Sequence, residues 1–214
     1  MLSVKGERRE YAPAAAKEKQ GKGGKDKGSK EKKKDKGGAP AASAGAGDSA
    51  VSKLEIRVGL IVKAWKHETA DKLFCEEIDV GEAAPRTIAS GLQGFVEEAD
   101  LQNRPCVVLC NMKPRNMVGF KSQGMVLYGS SPDKATVELV DPPAGAAVGE
   151  RVSFGAAHDG EAATPAQLQK KKLLEAALPD LRVGEDGIAM FKDAAFTTSK
   201  GPCTLKSIRA GTIS

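Results

Sequence analysis

From Leu54 to Trp65 the chain alternates residue by residue, with Leu54, Ile56, Val58, Leu60, Val62 and Ala64 on one face and Glu55, Arg57, Gly59, Ile61, Lys63 and Trp65 on the other. A period of two sustained this long specifies a β-strand, because side chains of an extended backbone point to opposite faces in turn. The run exceeds the usual strand of about 5–6 residues. Gly59 in its middle predicts a bulge or sharp coil, the feature that lets one strand serve both sheets of a small barrel.

The following residues supply shorter strands. Leu73 to Val80 predicts a second strand ending at Gly81, and Arg86 to Ala89 a third; Leu92 to Leu101 predicts a helix or helical turn. Pro105 opens the run Cys106-Val-Val-Leu-Cys110, apolar without alternation, as in a strand buried on both faces. Gly124 to Tyr128 reads as a fifth strand and Val137 to Val140 as a further edge. Five or six short strands with one small helix and no helical crossovers fit a mainly β chain, a five-stranded OB-fold barrel over residues 51–154.

Past Phe154 a smaller unit is expected over residues 155–214. Thr164-Pro165 is a helix start, a capping hydroxyl followed by proline, and the helix should run to Leu178 before Pro179 stops it, burying Leu174, Ala177 and Leu178. Gly187 to Lys192 and Cys203 to Ile208 read as strands around a Lys200-Gly-Pro turn. So small an α+β unit has a marginal core of its own and should dock on the barrel.

The net charge of +5 is unevenly placed. Residues 1–50 hold 13 Lys or Arg against 7 Asp or Glu, whereas residues 51–214 hold 20 against 21, leaving the body at −1. Lys17 to Gly38 contains no aliphatic or aromatic side chain, so burial cannot offset the ordering cost and disorder is expected; Ala39 to Ala50 reads as an Ala/Gly/Ser linker. The lysine run suits a solvating tail, a linker to a larger protein, or an arm attracting a polyanion without sequence preference. No apolar run approaches the roughly 20 residues of a membrane span, and no secretion signal opens the chain. The four cysteines show neither disulfide-framework nor C-x-x-C spacing, which points to reduced thiols in an intracellular, cytoplasmic protein. With His67 and His158 the only histidines, neither near a nucleophile motif, no catalytic residue, metal site or cofactor is expected.

Cys110 to Met125 is the candidate site. It joins two apolar runs through a connection longer than a turn requires, carrying Lys113, Arg115 and Lys121 with the donors Asn111, Ser122 and Gln123. Such groups on a rigid scaffold suit a phosphate-rich ligand. Pro114 and Gly119 shape the turn, and Met117 and Met125 suit core packing better than ligand contact. Phe120 alone offers a ring for base stacking, so heavy stacking is not expected.

The residues Asn111, Lys113, Pro114, Met117, Gly119, Ser122, Gln123 and Met125, spaced N-x-K-P-x-x-M-x-G-x-x-S-Q-x-M, resemble the signature of the OB-fold tRNA-binding domain. That domain occurs in free-standing bacterial proteins and as an appendage of methionyl-, tyrosyl- and phenylalanyl-tRNA synthetases. Trp65-Lys-His67, Ala70-Asp71, Glu76-Glu-Ile-Asp-Val-Gly81 and Pro85-Arg-Thr-Ile88 agree in order. Lys170-Lys-Lys-Leu-Leu, Leu178-Pro-Asp-Leu181 and Gly201 to Ser214 are similar to the extension of the endothelial-monocyte-activating polypeptide II group. The resemblance implies a non-catalytic module that binds tRNA largely by shape and backbone and serves an aminoacyl-tRNA synthetase or synthetase complex. It implies a monomer whose extension mimics a second subunit. Lys113, Arg115, Lys121, Asn111, Ser122 and Gln123 would then contact tRNA, with Arg57 and Lys63 extending the surface from the non-core face of the first strand. The group's cytokine-active heptapeptide corresponds to Arg57 to Lys63, where only the Arg-x-Gly start is kept. A protein-assembly or cytokine-like role with weak residual RNA binding is the competing class.

Overall fold

A computed structural model describes residues 49–214 apart from 157 and 159. The expectations for the lysine tail and most of its linker lie outside the described residues.

After a 3-10 turn at Ala50–Lys53, the chain forms β1 (Ile56–Lys66), β2 (Phe74–Asp79) and β3 (Arg86–Ser90), a single helical turn α1 (Glu98–Leu101), and β4 (Arg104–Leu109). The basic connection follows, not as a loop but as a hairpin of β5 (Arg115–Met117) and β6 (Phe120–Ser122). Next come β7 (Met125–Val126), β8 (Tyr128–Ser130) and β9 (Val137–Leu139). The C-terminal part holds α2 (Pro165–Lys170), α3 (Leu173–Ala177), β10 (Leu181–Val183), β11 (Ala189–Phe191), β12 (Ala194–Ala195), β13 (Thr197–Thr198), β14 (Gly201–Pro202) and β15 (Thr212–Ile213).

β1 is the hub, antiparallel to both β2 and β4 in a sheet ordered β3-β2-β1-β4-β7. The sheet curls until β3 meets the end of β6. Gln123 N donates to the Thr87 carbonyl at 2.8 Å, and Ala89 N donates to Ser122 Oγ at 3.1 Å. The result is a nearly closed five-stranded OB-fold barrel. Gly59 permits tight coiling, since a Cβ there would stand 2.9 Å from Ile78 Cγ2. The bulge itself falls three residues later, where pairing shifts between Ile61↔Ile78 and Lys63↔Glu77. That inserted residue, Val62, is 36% exposed, and Ile61 before it and Ala64 after it both face the barrel interior although simple alternation puts them on opposite faces. One inserted residue exchanges the faces of everything beyond it.

Two cores share β4. Cys106 and Val108 join Ile61, Phe74, Ile78, Ile88 and Leu101 inside the barrel, whereas Val107 and Leu109 join Ile56 outside it, under the C-terminal part. This is why the run lacks alternation. The expected fifth strand divides at Leu127: Val126 packs in the barrel, Leu127 in the outer core, and β8 leaves for a second sheet ordered β12-β11-β10-β15-β8-β9. That sheet therefore combines strands from both parts of the chain. Its seam is made by Tyr128 and Ser214, which exchange backbone hydrogen bonds at 2.9 and 3.0 Å. A Cβ at Gly129 would lie 2.2 Å from Leu205 Cδ2, so any larger residue at the seam would force Leu205 to shift.

The single helix expected from Thr164 to Leu178 is broken. Thr164 and Gln167 form the predicted cap as a reciprocal capping box, but Lys172 turns left-handed at φ 50° and starts a new helix. In an unbroken helix Leu168 and Leu174 would point about 120° apart, at 3.6 residues per turn. The break lets both enter the outer core. Cys203 to Ile208 is likewise not a strand; Thr204 makes only isolated bridges to Asp141 and Ile188, and the closing strand is Thr212–Ile213.

Candidate nucleic-acid interface

The β5–β6 hairpin turns through Val118 and Gly119, with φ of 53° and 89°. Positive φ at both central residues is the type I′ geometry that matches strand twist. Asn116 Oδ1 accepts the Gly119 N–H at 2.7 Å and closes the turn. Val118, a β-branched residue in a conformation that suits glycine or asparagine, is 60% exposed at the tip.

Cross-strand pairs Arg115↔Ser122 and Met117↔Phe120 share one face of this ribbon, and Asn116↔Lys121 the other. Lys113, Arg115 and Lys121 are all exposed, and none is in an ion pair among the described residues. Lys63 belongs with them. Its Nζ lies 5.0 Å from the centre of the Trp65 ring, which meets Phe120 edge-on at 5.9 Å. Trp65 and Phe120 thus brace the hairpin against the end of β1.

The other candidates are placed differently. Asn111 is 3% exposed: Oδ1 accepts the Glu55 N–H at 3.0 Å, and Nδ2 donates to the carbonyls of Lys53 and Ala163, each at 2.9 Å. Ser122, 4% exposed, accepts from Ala89 N and donates to the Gly124 carbonyl at 3.0 Å. Gln123 Oε1 accepts from Thr87 N and Thr87 Oγ1 at 3.1 Å. These three hold the barrel seam and the C-terminal part, so the expected donors of Asn111 and Ser122 are withdrawn from the surface. Arg57 pairs with Glu55, and its register opposite Val108 puts it on the barrel-lining side, away from Lys63. The bulge at Val62 separates two residues that simple alternation places together. Arg86 is also structural: Nη1 donates to the carbonyls of Cys110 and Gln123, and hydrogen bonding to Glu82 raises its already high pKa while lowering that of Glu82.

Local patterns give no sign of a cavity of about 290 Å³ between the hairpin and the barrel. Leu73, Met112, Met117, Met125, Val126 and Tyr128 form its apolar wall, and Lys113 and Arg115 also line it. Only the methionine spacing in the signature could have pointed there. Behind the cavity, Ser90 Oγ donates to Glu76 Oε1 at 2.6 Å. Glu76 is 0% exposed, its Oε2 has no hydrogen-bond partner among the described residues, and burial pushes its carboxyl up to about 7.

The four cysteines are buried free thiols, and burial raises Cys110 to about 11 and Cys203 to about 12. Among the described residues no group of three or more His, Cys, Asp or Glu could hold a metal ion, and no helix is long and apolar enough to cross a membrane.

Residues 56–151 match the family model described as "Putative tRNA binding domain". The chain is 48% identical over 163 residues to methionine--tRNA ligase, cytoplasmic, of Arabidopsis thaliana, covering 76% of this chain and 20% of the relative. It is 45% identical over 158 residues to the aminoacyl tRNA synthase complex-interacting multifunctional protein 1 of Mus musculus, covering 73% of this chain and 50% of the relative. The crystal structure of the C-terminal domain of p43 from Plasmodium vivax superposes with a TM-score of 0.67 at 36% identity, covering 77% of this chain and 98% of that one. The chain thus spans between a fifth and a half of the length of these two curated relatives.

Proposed function

Since the chain belongs to the tRNA-binding domain family, we propose that it is a non-catalytic module that binds tRNA and holds it for an aminoacyl-tRNA synthetase in the cytoplasm. The observation that carries this reading is the hairpin. Lys113 and Arg115 beside the cavity, Lys121 on the opposite face and Lys63 at the brace are exposed cations on a body of net charge −1. A nearly neutral body attracts a polyanion through such a local patch, and exposed cations contact phosphates with little desolvation. Asn111, Ser122 and Gln123 act one step back, as struts that fix the hairpin on the barrel. The lysine-rich residues 17–38 add sequence-independent attraction, and two linked weak sites bind more tightly than either alone.

The barrel of residues 51–154 is the tRNA-binding unit, and residues 155–214 are the extension that covers its outer face. Burial of Ile56, Val107 and Leu109 under that extension supports a monomeric module.

The test is tRNA affinity against salt for the intact chain and for the triple variant Lys113→Glu, Arg115→Glu, Lys121→Glu. The intact chain should show a log–log slope of roughly 0.7–0.9 per phosphate contacted. The variant should remain folded and lose both affinity and slope. Unchanged affinity would sink the site, and a stoichiometric protein partner in place of RNA would favour the assembly role.

A further inference from the structure

The geometry points to the cavity beneath the hairpin as a receptor for one unstacked nucleobase of the bound tRNA, an inference that rests on the tRNA-binding reading above. At about 290 Å³ the cavity lies near the lower end of small-molecule pockets, about 300 Å³, and suits a single flat ring system. Its wall is unusual for this chain. Met112, Met117 and Met125, three of the five methionines, converge there and all three remain partly exposed. Thioethers are polarizable, adapt in shape and make favourable contacts with aromatic rings. The ring of Tyr128 is also in the wall, while Gly91 leaves the backbone uncovered at the margin.

The charges favour a nucleotide over an apolar peptide side chain. Lys113 and Arg115 line the same cavity, exposed and without an ion pair among the described residues, so a base entering it would bring its flanking phosphates to two cations. Proteins read RNA largely through single-stranded loops and ends whose bases can be splayed out of the stack. A base held here would register the tRNA on the barrel, a task that phosphate contacts alone perform without reference to which nucleotide is unpaired.

The five methionines provide the assay. The intact chain labelled with [13C]methyl-methionine is titrated with adenosine 5′-monophosphate and, separately, with ribose 5-phosphate. The nucleotide should move the methyl signals of Met112, Met117 and Met125 upfield by ring current and leave Met190, in β11, unmoved. The sugar phosphate should not reproduce that shift. Gly91→Leu adds an aliphatic side chain at the cavity margin, where a Cβ meets nothing within 4 Å. It should abolish the methyl shifts and weaken tRNA binding about tenfold, the loss of one stacked base, with the salt slope unchanged. Equal responses to the two probes, no response to the nucleotide, or a response to an apolar peptide alone would overturn the inference. If tRNA then still binds with the expected salt slope, the tRNA-binding reading survives its failure; absence of tRNA binding to the intact chain overturns both.

Discussion

The side-chain amide of Asn111 donates to the carbonyl of Ala163 at 2.9 Å, tying the end of β4 to the residue before the cap of α2. The same amide serves Lys53 and Glu55, so one buried side chain joins three segments of chain. Asn111→Ala leaves buried backbone groups without partners, at about 1–3 kcal/mol for each. We expect urea denaturation to show a loss of about 3 kcal/mol or more, with tRNA affinity of the folded variant unchanged. A folded, stable variant with weakened binding would make Asn111 a ligand contact instead.

Individual cations should separate in salt titrations. Lys121→Ala is expected to reduce the slope by about 0.7–0.9 for one lost phosphate contact. Arg57→Ala should leave the slope unchanged, because its guanidinium is already held by Glu55 on the barrel-lining side.

Glu76 predicts a pH dependence of stability. Its carboxyl rises from an ordinary 4.5 to about 7 because burial disfavours the charge, so the neutral form is the one the fold accommodates. The stabilisation is complete below pH 4.5 and is lost as pH rises through 7. The shift corresponds to about 3 kcal/mol at 1.36 kcal/mol per unit. Glu76→Gln should therefore be more stable than the parent at pH 8, with the difference shrinking toward pH 4.5. Parallel denaturation curves for parent and variant across pH would contradict this account.

Val118 at the hairpin tip offers a local test. Relief of a left-handed β-branched residue is worth roughly 1–2 kcal/mol, so Val118→Asn should raise the urea midpoint. Amide exchange at Phe120 and Lys121 should slow in the same variant.

Thiol chemistry should be slow in the native chain. Burial keeps Cys106, Cys110 and Cys203 protonated near neutrality, and the thiolate is the reactive form. Ellman's reagent should modify these three only after denaturation; rapid labelling of Cys106 in the folded chain would contradict the barrel core.

Much of this protein is written locally. The period-two run specifies β1, the unalternating Cys106-Val-Val-Leu run specifies a strand between two cores, and Thr164-Pro165 specifies a capped helix start, because each depends on neighbours along the chain. The signature residues also span the β5–β6 hairpin. What only the tertiary structure decided is which of them face solvent. Asn111 finds its partner 52 residues away and Ser122 finds Ala89 33 residues away, so donors that look free in sequence are used by the fold. The bulge at Val62 sends Arg57 and Lys63 to different faces, and the left-handed turn at Lys172 redirects α3, each to satisfy packing with distant strands. The cavity belongs to the same class: its wall comes from separate stretches between Leu73 and Tyr128, brought together only when the barrel closes.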